Sequence, residues 1–373
     1  ECEESIIELI KYLHGDCNIC DVSNLITVSN FSCEFQKKIK VPDRSNIIHP
    51  AFDLLDDNRY KLKNKKMRFL ITSRSCPYNC DFCSIHSVFG HKYETRKVSD
   101  IMEEIKCGIK QGIEHFDVED DNFTFNYSHA LELLNEVIKL KANISFSAMN
   151  GLCYFNLNNE LLMKMKEAGF ENLNLALVSY DKKFCQSVNR PNDIEKLKQV
   201  MQSASGLGFN VAVSYIIGIP GQSLQEMYNT TEFLAGEQCL LQVSPFYIIP
   251  DSKIHEKIKN RADIKLASNK CDSYYSARLS AMDLECDDFS RDDIYTLWKL
   301  SRVINYIKNG IDSGYEANNE YFKKLIQALK NGDWNISGIK STIALSEKIP
   351  EFTKNKRYTV FGAKSKNKLV FDL

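Results

Sequence analysis

Arg68-Phe69-Leu70-Ile71-Thr72-Ser73-Arg74-Ser75-Cys76-Pro77-Tyr78-Asn79-Cys80-Asp81-Phe82-Cys83 carries an apolar run directly into three cysteines. Three residues lie between Cys76 and Cys80, and two between Cys80 and Cys83. So tight and uneven a trio can wrap three thiolates around one face of an iron–sulfur cube and leave the fourth iron open. An open iron can hold a substrate or cofactor, so the spacing points to chemistry rather than to a structural clip. The competing reading of the same residues is a zinc knot. Zinc usually takes four ligands in paired short spacings, and His86 or His91 would have to supply the fourth.

The run opens a strand-then-helix rhythm that continues to about residue 250. Strands are expected over 68–73, 115–118, 144–148, 173–178, 210–217 and 240–248, each apolar and bounded by turn residues. Helices are expected over 99–111, 129–140, 160–168, 193–207 and from 223 onward. Ser99 reads as an N-cap, Gly112, Gly169 and Gly208 as stops, and Ser223 with Glu226 as a capping box. Six βα units in a row imply parallel strands with right-handed crossovers. A closed eight-unit barrel typically needs about 250 residues. Six units therefore fit an α/β fold with a partial, open (β/α)6 barrel. In such folds the loops at the C-terminal ends of the strands carry the chemistry, and the cysteine loop follows strand one at that end.

Outside this core the pattern changes. Residues 1–66 read as an N-terminal segment and linker, with a short amphipathic helix over 5–13 and an irregular connector over 41–57. The core spans 67–250. Residues 251–373 read as a mainly helical extension, with helices over 292–308 and 318–330. It ends in a short hairpin, two apolar runs over 358–361 and 369–371 around the basic turn 364–368. The chain is 43% hydrophobic and 26% charged with a net charge of -1, so neither a nucleic-acid footprint nor an anionic membrane surface is expected. It holds no apolar run of ~18 residues that would span a membrane, and Glu1-Cys2-Glu3-Glu4-Ser5 lacks the features of a signal peptide. Thirteen cysteines in so long a chain suit a reducing cytoplasm, with some thiols on metal and others buried as small hydrophobes.

The Cys-x3-Cys-x2-Cys loop, with Thr72-Ser73-Arg74 leading in and Phe82 before the last cysteine, resembles the radical S-adenosylmethionine (radical SAM) superfamily. The resemblance implies a 4Fe–4S cluster on Cys76, Cys80 and Cys83, with SAM on the open iron. It implies reductive cleavage of SAM to a 5′-deoxyadenosyl radical and hydrogen abstraction from a small-molecule or peptide substrate. An oxygen-sensitive enzyme fed by an electron donor such as flavodoxin or ferredoxin would follow. The alternative is a non-catalytic iron–sulfur or zinc-binding protein.

The same resemblance assigns cofactor contacts. Phe82 belongs to the cysteine motif. In Val118-Glu119-Asp120-Asp121-Asn122-Phe123-Thr124, Asp120 or Asp121 would accept hydrogen bonds from the SAM amine; read as residues alone, they equally suit an N-cap or an Asx turn. Ser179 ends strand four after Val178, where the family often has Glu-Ser or Gln-Ser. Arg190 would meet the SAM carboxylate through its guanidinium fork, or else form a surface ion pair. Gly218, in Ile216-Ile217-Gly218-Ile219-Pro220-Gly221, would let adenine approach the backbone.

Residues 1–10 are similar to the end of a cobalamin-binding domain, and Pro50-Ala51-Phe52-Asp53-Leu54-Leu55 to the link that follows it. The resemblance therefore extends to the subfamily with an N-terminal cobalamin (B12)-binding domain, expected here to be missing or truncated. A cobalamin-linked methyltransferase or cyclase is implied if an upstream domain exists. Cys17 and Cys20, with Cys2 and Cys33, offer a second metal site or simply free thiols. Tyr215 and Tyr247 read as substrate contacts or, more simply, as core.

Overall fold

The computed structural model describes residues 3–25, 49–62, 64–249, 252–266 and 284–312. The expected helix over 318–330, the terminal hairpin, Cys2, Cys33 and Cys271 lie outside them.

Strand β1 (Lys61–Leu62) pairs antiparallel with β2 (Lys65–Leu70). The chain then leaves the sheet, and β3 (Ser73–Arg74) pairs antiparallel with β4 (Glu94–Thr95). Beside β2 lie β5 (His115–Val118) and β6 (Ser145–Ser147), both parallel. A second parallel set holds β7 (Asn172–Val178), β8 (Asn210–Ile217) and β9 (Leu240–Pro245). Parallel bridges Phe146↔Phe170 and Leu152↔Leu175 join the two sets. Six parallel strands thus stand side by side in chain order, β2-β5-β6-β7-β8-β9, as a partial barrel. The fold is α/β, as the rhythm predicts.

Sequence and structure differ at strand ends for physical reasons. The first strand stops at Leu70 rather than Ser73, because Thr72 and Ser73 turn aside to the Asp120 carboxylate. The last stops at Pro245, which has no N–H to continue a ladder. Strands β5 and β8 have the expected bounds.

Helices α1 (Glu3–His14) and α2 (Ile85–Phe89) precede the crossover helices. These are α3 (Val98–Lys110), α4 (Tyr127–Lys139), α5 (Asn159–Glu167), α6 (Lys182–Ser187), α7 (Ile194–Gly206) and α8 (Leu224–Gly236). Most open on an Asn, Asp or Ser whose side chain accepts the N3 amide: Asn126, Asn158, Asp181, Asp193 and Ser223. Ser99 is not such a cap. The extended chain holds through Arg96, whose amide donates to the Thr72 carbonyl, so α3 starts after Lys97. Gly169 has φ +103, and a Cβ there would sit 2.6 Å from the Ile144 carbonyl oxygen, so both backbone angle and close packing require glycine.

Along β5 the residues alternate. Phe116 and Val118 join the core under the helices, and Phe116 meets Gly108 of α3. Phe116, Phe146 and Phe170 stack in sequence at 5.6 and 5.4 Å, sealing the seam where regular pairing between the sets lapses. The other strand face is polar. His115 bridges Ser145 (2.9 Å) and Ser147 (2.8 Å), Ser147 donates to Asp117 (2.6 Å), and Ser214 donates to Gln242 (2.8 Å).

Past β9, helix α9 (Lys253–Ile258) and α10 (Arg291–Asp312) close the far side, with the small pair β10 (Lys265–Leu266) and β11 (Leu284–Glu285) between them. Asn305 of α10 exchanges two 2.7 Å hydrogen bonds with the backbone of Leu241, and Lys308 Nζ donates to three carbonyls around Cys239. The edge of β9 is thereby capped. At the other end, Asp57 of the connector pairs with buried Arg68 at 2.6 Å, and that guanidinium lies 4.5 Å over the Phe52 ring. Helix α1 buries none of its residues. Among the described residues no helix is long and apolar enough to cross a membrane.

Candidate functional site

The cysteine loop leaves β3 at the C-terminal edge of the parallel strands, and two consecutive carboxylates clasp its start. Asp120, fully buried after β5, accepts the Thr72 amide (2.6 Å) and the Thr72 and Ser73 hydroxyls (both 2.5 Å). Burial pushes its carboxyl above the ordinary value against those three donors. Asp121 accepts the Ser75 amide at 3.1 Å, holding that residue at φ +68, just before Cys76. The pair is thus neither an N-cap nor a local Asx turn; it ties strand β5 to the loop.

Among the thiols, Cys80 is buried, Cys76 half-buried and Cys83 exposed. Two side-chain N–H donors aim at sulfur. Asn122 Nδ2 lies 3.6 Å from Cys76 Sγ, and Arg190 Nη1 lies 4.0 Å from Cys80 Sγ. Both favour anionic sulfur. Burial pushes the Cys80 thiol up, and the Arg190 charge opposes it. Among the described residues no three Cys, His, Asp or Glu side chains are gathered closely enough to grip a metal ion. The donor set nonetheless suits an iron–sulfur cluster: three thiols on one loop, with two N–H groups for their sulfurs. His86, one of the two histidines that could complete a zinc knot, bonds the Cys76 carbonyl oxygen at 2.7 Å and packs on the other, His91.

Arg190 is no surface ion pair. Its Nη2 donates to the Ala176 carbonyl at the end of β7 (2.6 Å), and its buried Nε has no hydrogen-bond partner among the described residues. Phe82 is half-buried and packs against the core. Past the C-terminal ends of β2 and β5 a cavity of about 350 Å³ is lined by Glu3, Ile71, Ser73, Arg74, Phe89, Glu119 and Asp121.

Ser179 and Gly218 follow the ends of β7 and β8. A bulge at Ala176/Val178 puts Val178 at φ +80, a strained angle for a β-branched residue. Ser179 follows it, completely buried, and donates to Glu226 Oε1 at 2.5 Å while accepting the Asp181 amide. The expected capping box is therefore half formed: Ser223 accepts the Glu226 amide, but the Glu226 carboxylate turns inward. Gly218 has φ +82, and Ile294 and Phe289 face the position a Cβ would take. Tyr215 is core, its hydroxyl on Thr231 at 3.0 Å.

The sequence reading missed several contributors. Asn122 stood in the quoted acidic run. Asp81 stood inside the motif itself. Buried Cys153, beside Tyr78, had no spacing to mark it. Glu226 was read only as a cap.

Residues 70–234 match the family model described as Radical SAM superfamily. This stretch of the chain is a radical SAM domain. Over 185 residues it is 26% identical to an uncharacterized methyltransferase of Pyrococcus horikoshii, covering 49% of this chain and 40% of that protein. Over 172 residues it is 28% identical to cytidylyl-2-hydroxyethylphosphonate methyltransferase of Streptomyces wedmorensis, covering 44% and 32%. The chain thus matches only about a third to two-fifths of the length of these relatives. Among solved structures, the cobalamin-dependent SAM radical enzyme OxsB with aqua-cobalamin bound superposes with a TM-score of 0.59 at 15% identity, covering 93% of this chain and 56% of that one. The radical SAM methyltransferase TsrM from Kitasatospora setae, with tryptophan substrate and a SAM analog bound, gives 0.57 at 16%, covering 73% and 56%. These structural likenesses speak for the radical SAM fold.

Glu226 carries a pH prediction. Burial pushes its carboxyl from 4.5 to about 7, against hydrogen bonds from Ser179 and Gln222. The folded value exceeds the unfolded one, so the folded state keeps the proton longer. Stability from this group is full below about pH 4.5 and is lost as pH rises through 7. Glu226→Gln keeps the shape and removes the titration. Urea unfolding of the variant is expected to show a flatter stability profile, with a gain of about 2 kcal/mol over wild type at pH 8. Parallel profiles for the two proteins would refute this.

Proposed function

We propose that this chain is a radical SAM enzyme whose 4Fe–4S cluster is held by Cys76, Cys80 and Cys83. The observation that carries the reading is the cysteine loop itself, set at the C-terminal edge of the parallel strands with Asn122 and Arg190 directed at two of its sulfurs. When bound, the cluster and SAM supply reductive carbon–sulfur cleavage and a 5′-deoxyadenosyl radical. The protein's part is to hold and orient. The Arg190 fork takes the SAM carboxylate, for which its unpartnered Nε is a spare donor. Glu119 and Asp121, lining the cavity beside the loop, receive the cationic amine. Asp120, with its carboxylate already occupied by Thr72 and Ser73, holds the loop to β5. Phe82, next to the last cysteine in sequence, packs into the core and anchors that end of the loop. Flavodoxin or ferredoxin supplies the electron.

Related proteins whose names record methyl transfer favour a second, finer reading, a cobalamin-linked methyltransferase. Anaerobic reconstitution with iron and sulfide, then dithionite and SAM, separates the possibilities. 5′-Deoxyadenosine is expected from hydrogen abstraction. S-adenosylhomocysteine with methylated cobalamin, on adding cob(I)alamin, is expected from methyl transfer. Neither product, with zinc rather than iron in the purified protein, would sink the enzyme reading.

A further inference from the structure

Asp81, the residue after Cys80, is completely engaged. Its side chain is 1% exposed. Its amide donates to the Val188 carbonyl (3.0 Å), and its own carbonyl accepts the Ile254 amide (2.9 Å). Its Oδ1 accepts Asn189 Nδ2 at 2.7 Å, and its Oδ2 pairs with Lys257 Nζ. These partners lie 108 and 176 residues along the chain. Lys257 also donates to the Ser187 carbonyl at 3.3 Å, so α9 grips both the cysteine loop and the end of α6.

Asn189 is the telling partner. It stands at φ +53, a left-handed turn that aims the next residue, and the next residue is Arg190. Arg190 then reaches back to within 4.0 Å of Cys80 Sγ, the ligand immediately before Asp81. One carboxylate thus joins the two ends of a short circuit: Cys80, Asp81, Asn189, Arg190, Cys80. A buried carboxylate held by a cation and an amide is a rigid link, because releasing either partner leaves a desolvated charge.

We infer that Asp81 is a positioning residue that locks the Arg190 turn against the cysteine loop, with Lys257 of α9 completing the clamp. Its side-chain oxygens are taken up by Asn189 and Lys257, so it acts through Arg190. The inference rests on the reading of Arg190 as the SAM carboxylate contact, and its test separates the two.

Asp81→Ala, Asp81→Asn, Lys257→Met, Arg190→Gln and the Asp81→Ala/Arg190→Gln double variant are made in the 373-residue chain. Hydrogen exchange on the metal-free proteins reads the clamp without any cluster. Asp81→Ala is expected to speed exchange of the amides at 188–190 by about tenfold, and unchanged rates there overturn the clamp. SAM affinity is then read by titration of the reconstituted proteins. Asp81→Ala is expected to keep its iron and bind SAM about tenfold more weakly, and adding Arg190→Gln should bring little further loss beyond Arg190→Gln alone. Lys257→Met should weaken binding in the same direction, with Asp81→Asn restoring part of the Asp81→Ala loss. Fully additive losses would mean that Asp81 does not act through Arg190, and would overturn the proposal. So would loss of iron in Asp81→Ala alone with the fold intact, since Asp81 would then serve the cysteines. If Arg190→Gln leaves SAM affinity untouched, the Arg190 reading fails instead, and the exchange data decide whether the clamp stands.

Discussion

Replacing Cys80 by alanine is expected to reduce bound iron to background and to remove the broad absorption near ~400 nm that thiolate-ligated iron–sulfur clusters show. SAM cleavage should fall below detection with it. Cys80 is the buried member of the trio and the one facing Arg190, so its loss removes both a ligand and the sulfur that the guanidinium faces. Unfolding would not explain the result, because removing a small buried thiol costs only about 1 kcal/mol of packing. Cys239→Ala is the matched control. That thiol is equally buried but donates only to the Leu234 carbonyl, remote from the loop in its contacts. It should keep full iron. Iron retained in Cys80→Ala, or lost equally in Cys239→Ala, would remove the trio from the cluster.

Asp120→Ala is expected to destabilise the fold by about 3 to 5 kcal/mol and to leave the cysteine loop poorly ordered. Three donors, the Thr72 amide and the Thr72 and Ser73 hydroxyls, would lose a common acceptor in a site closed to water. Each unsatisfied buried donor carries its own desolvation penalty of about 1 to 3 kcal/mol. Asp120→Asn separates charge from shape. Its amide oxygen still accepts one or two of these bonds, so about half the loss should be recovered. Denaturant midpoints for the two variants check the prediction. A loss under 1 kcal/mol in Asp120→Ala would show that the loop keeps its course without the clasp.

Much of the architecture was legible in the chain because helices and strands are set by local spacing. The apolar runs of β5 and β8, the glycines after α5 and α7, and the Ser223 cap all act within a few residues. Strand ends were less legible, since long-range partners stop them: Asp120 draws Thr72 and Ser73 off the sheet from 48 and 47 residues away. Short helices such as α6 and α9 carried too few turns for periodicity to mark them.

The site divides along the same line. By itself the sequence determined the cysteine trio, the strand-end loop that bears it, and the set of polar residues at neighbouring strand ends, because each is a matter of residue type and spacing. Only the tertiary structure decided what those polar residues do. Asp120 holds the loop, Ser179 is drawn to Glu226 across a strained Val178, and Asp81 is joined to Asn189 and Lys257. A buried polar side chain must find its partner wherever packing brings one within hydrogen-bond reach, and nothing local in the chain encodes which distant donor that will be.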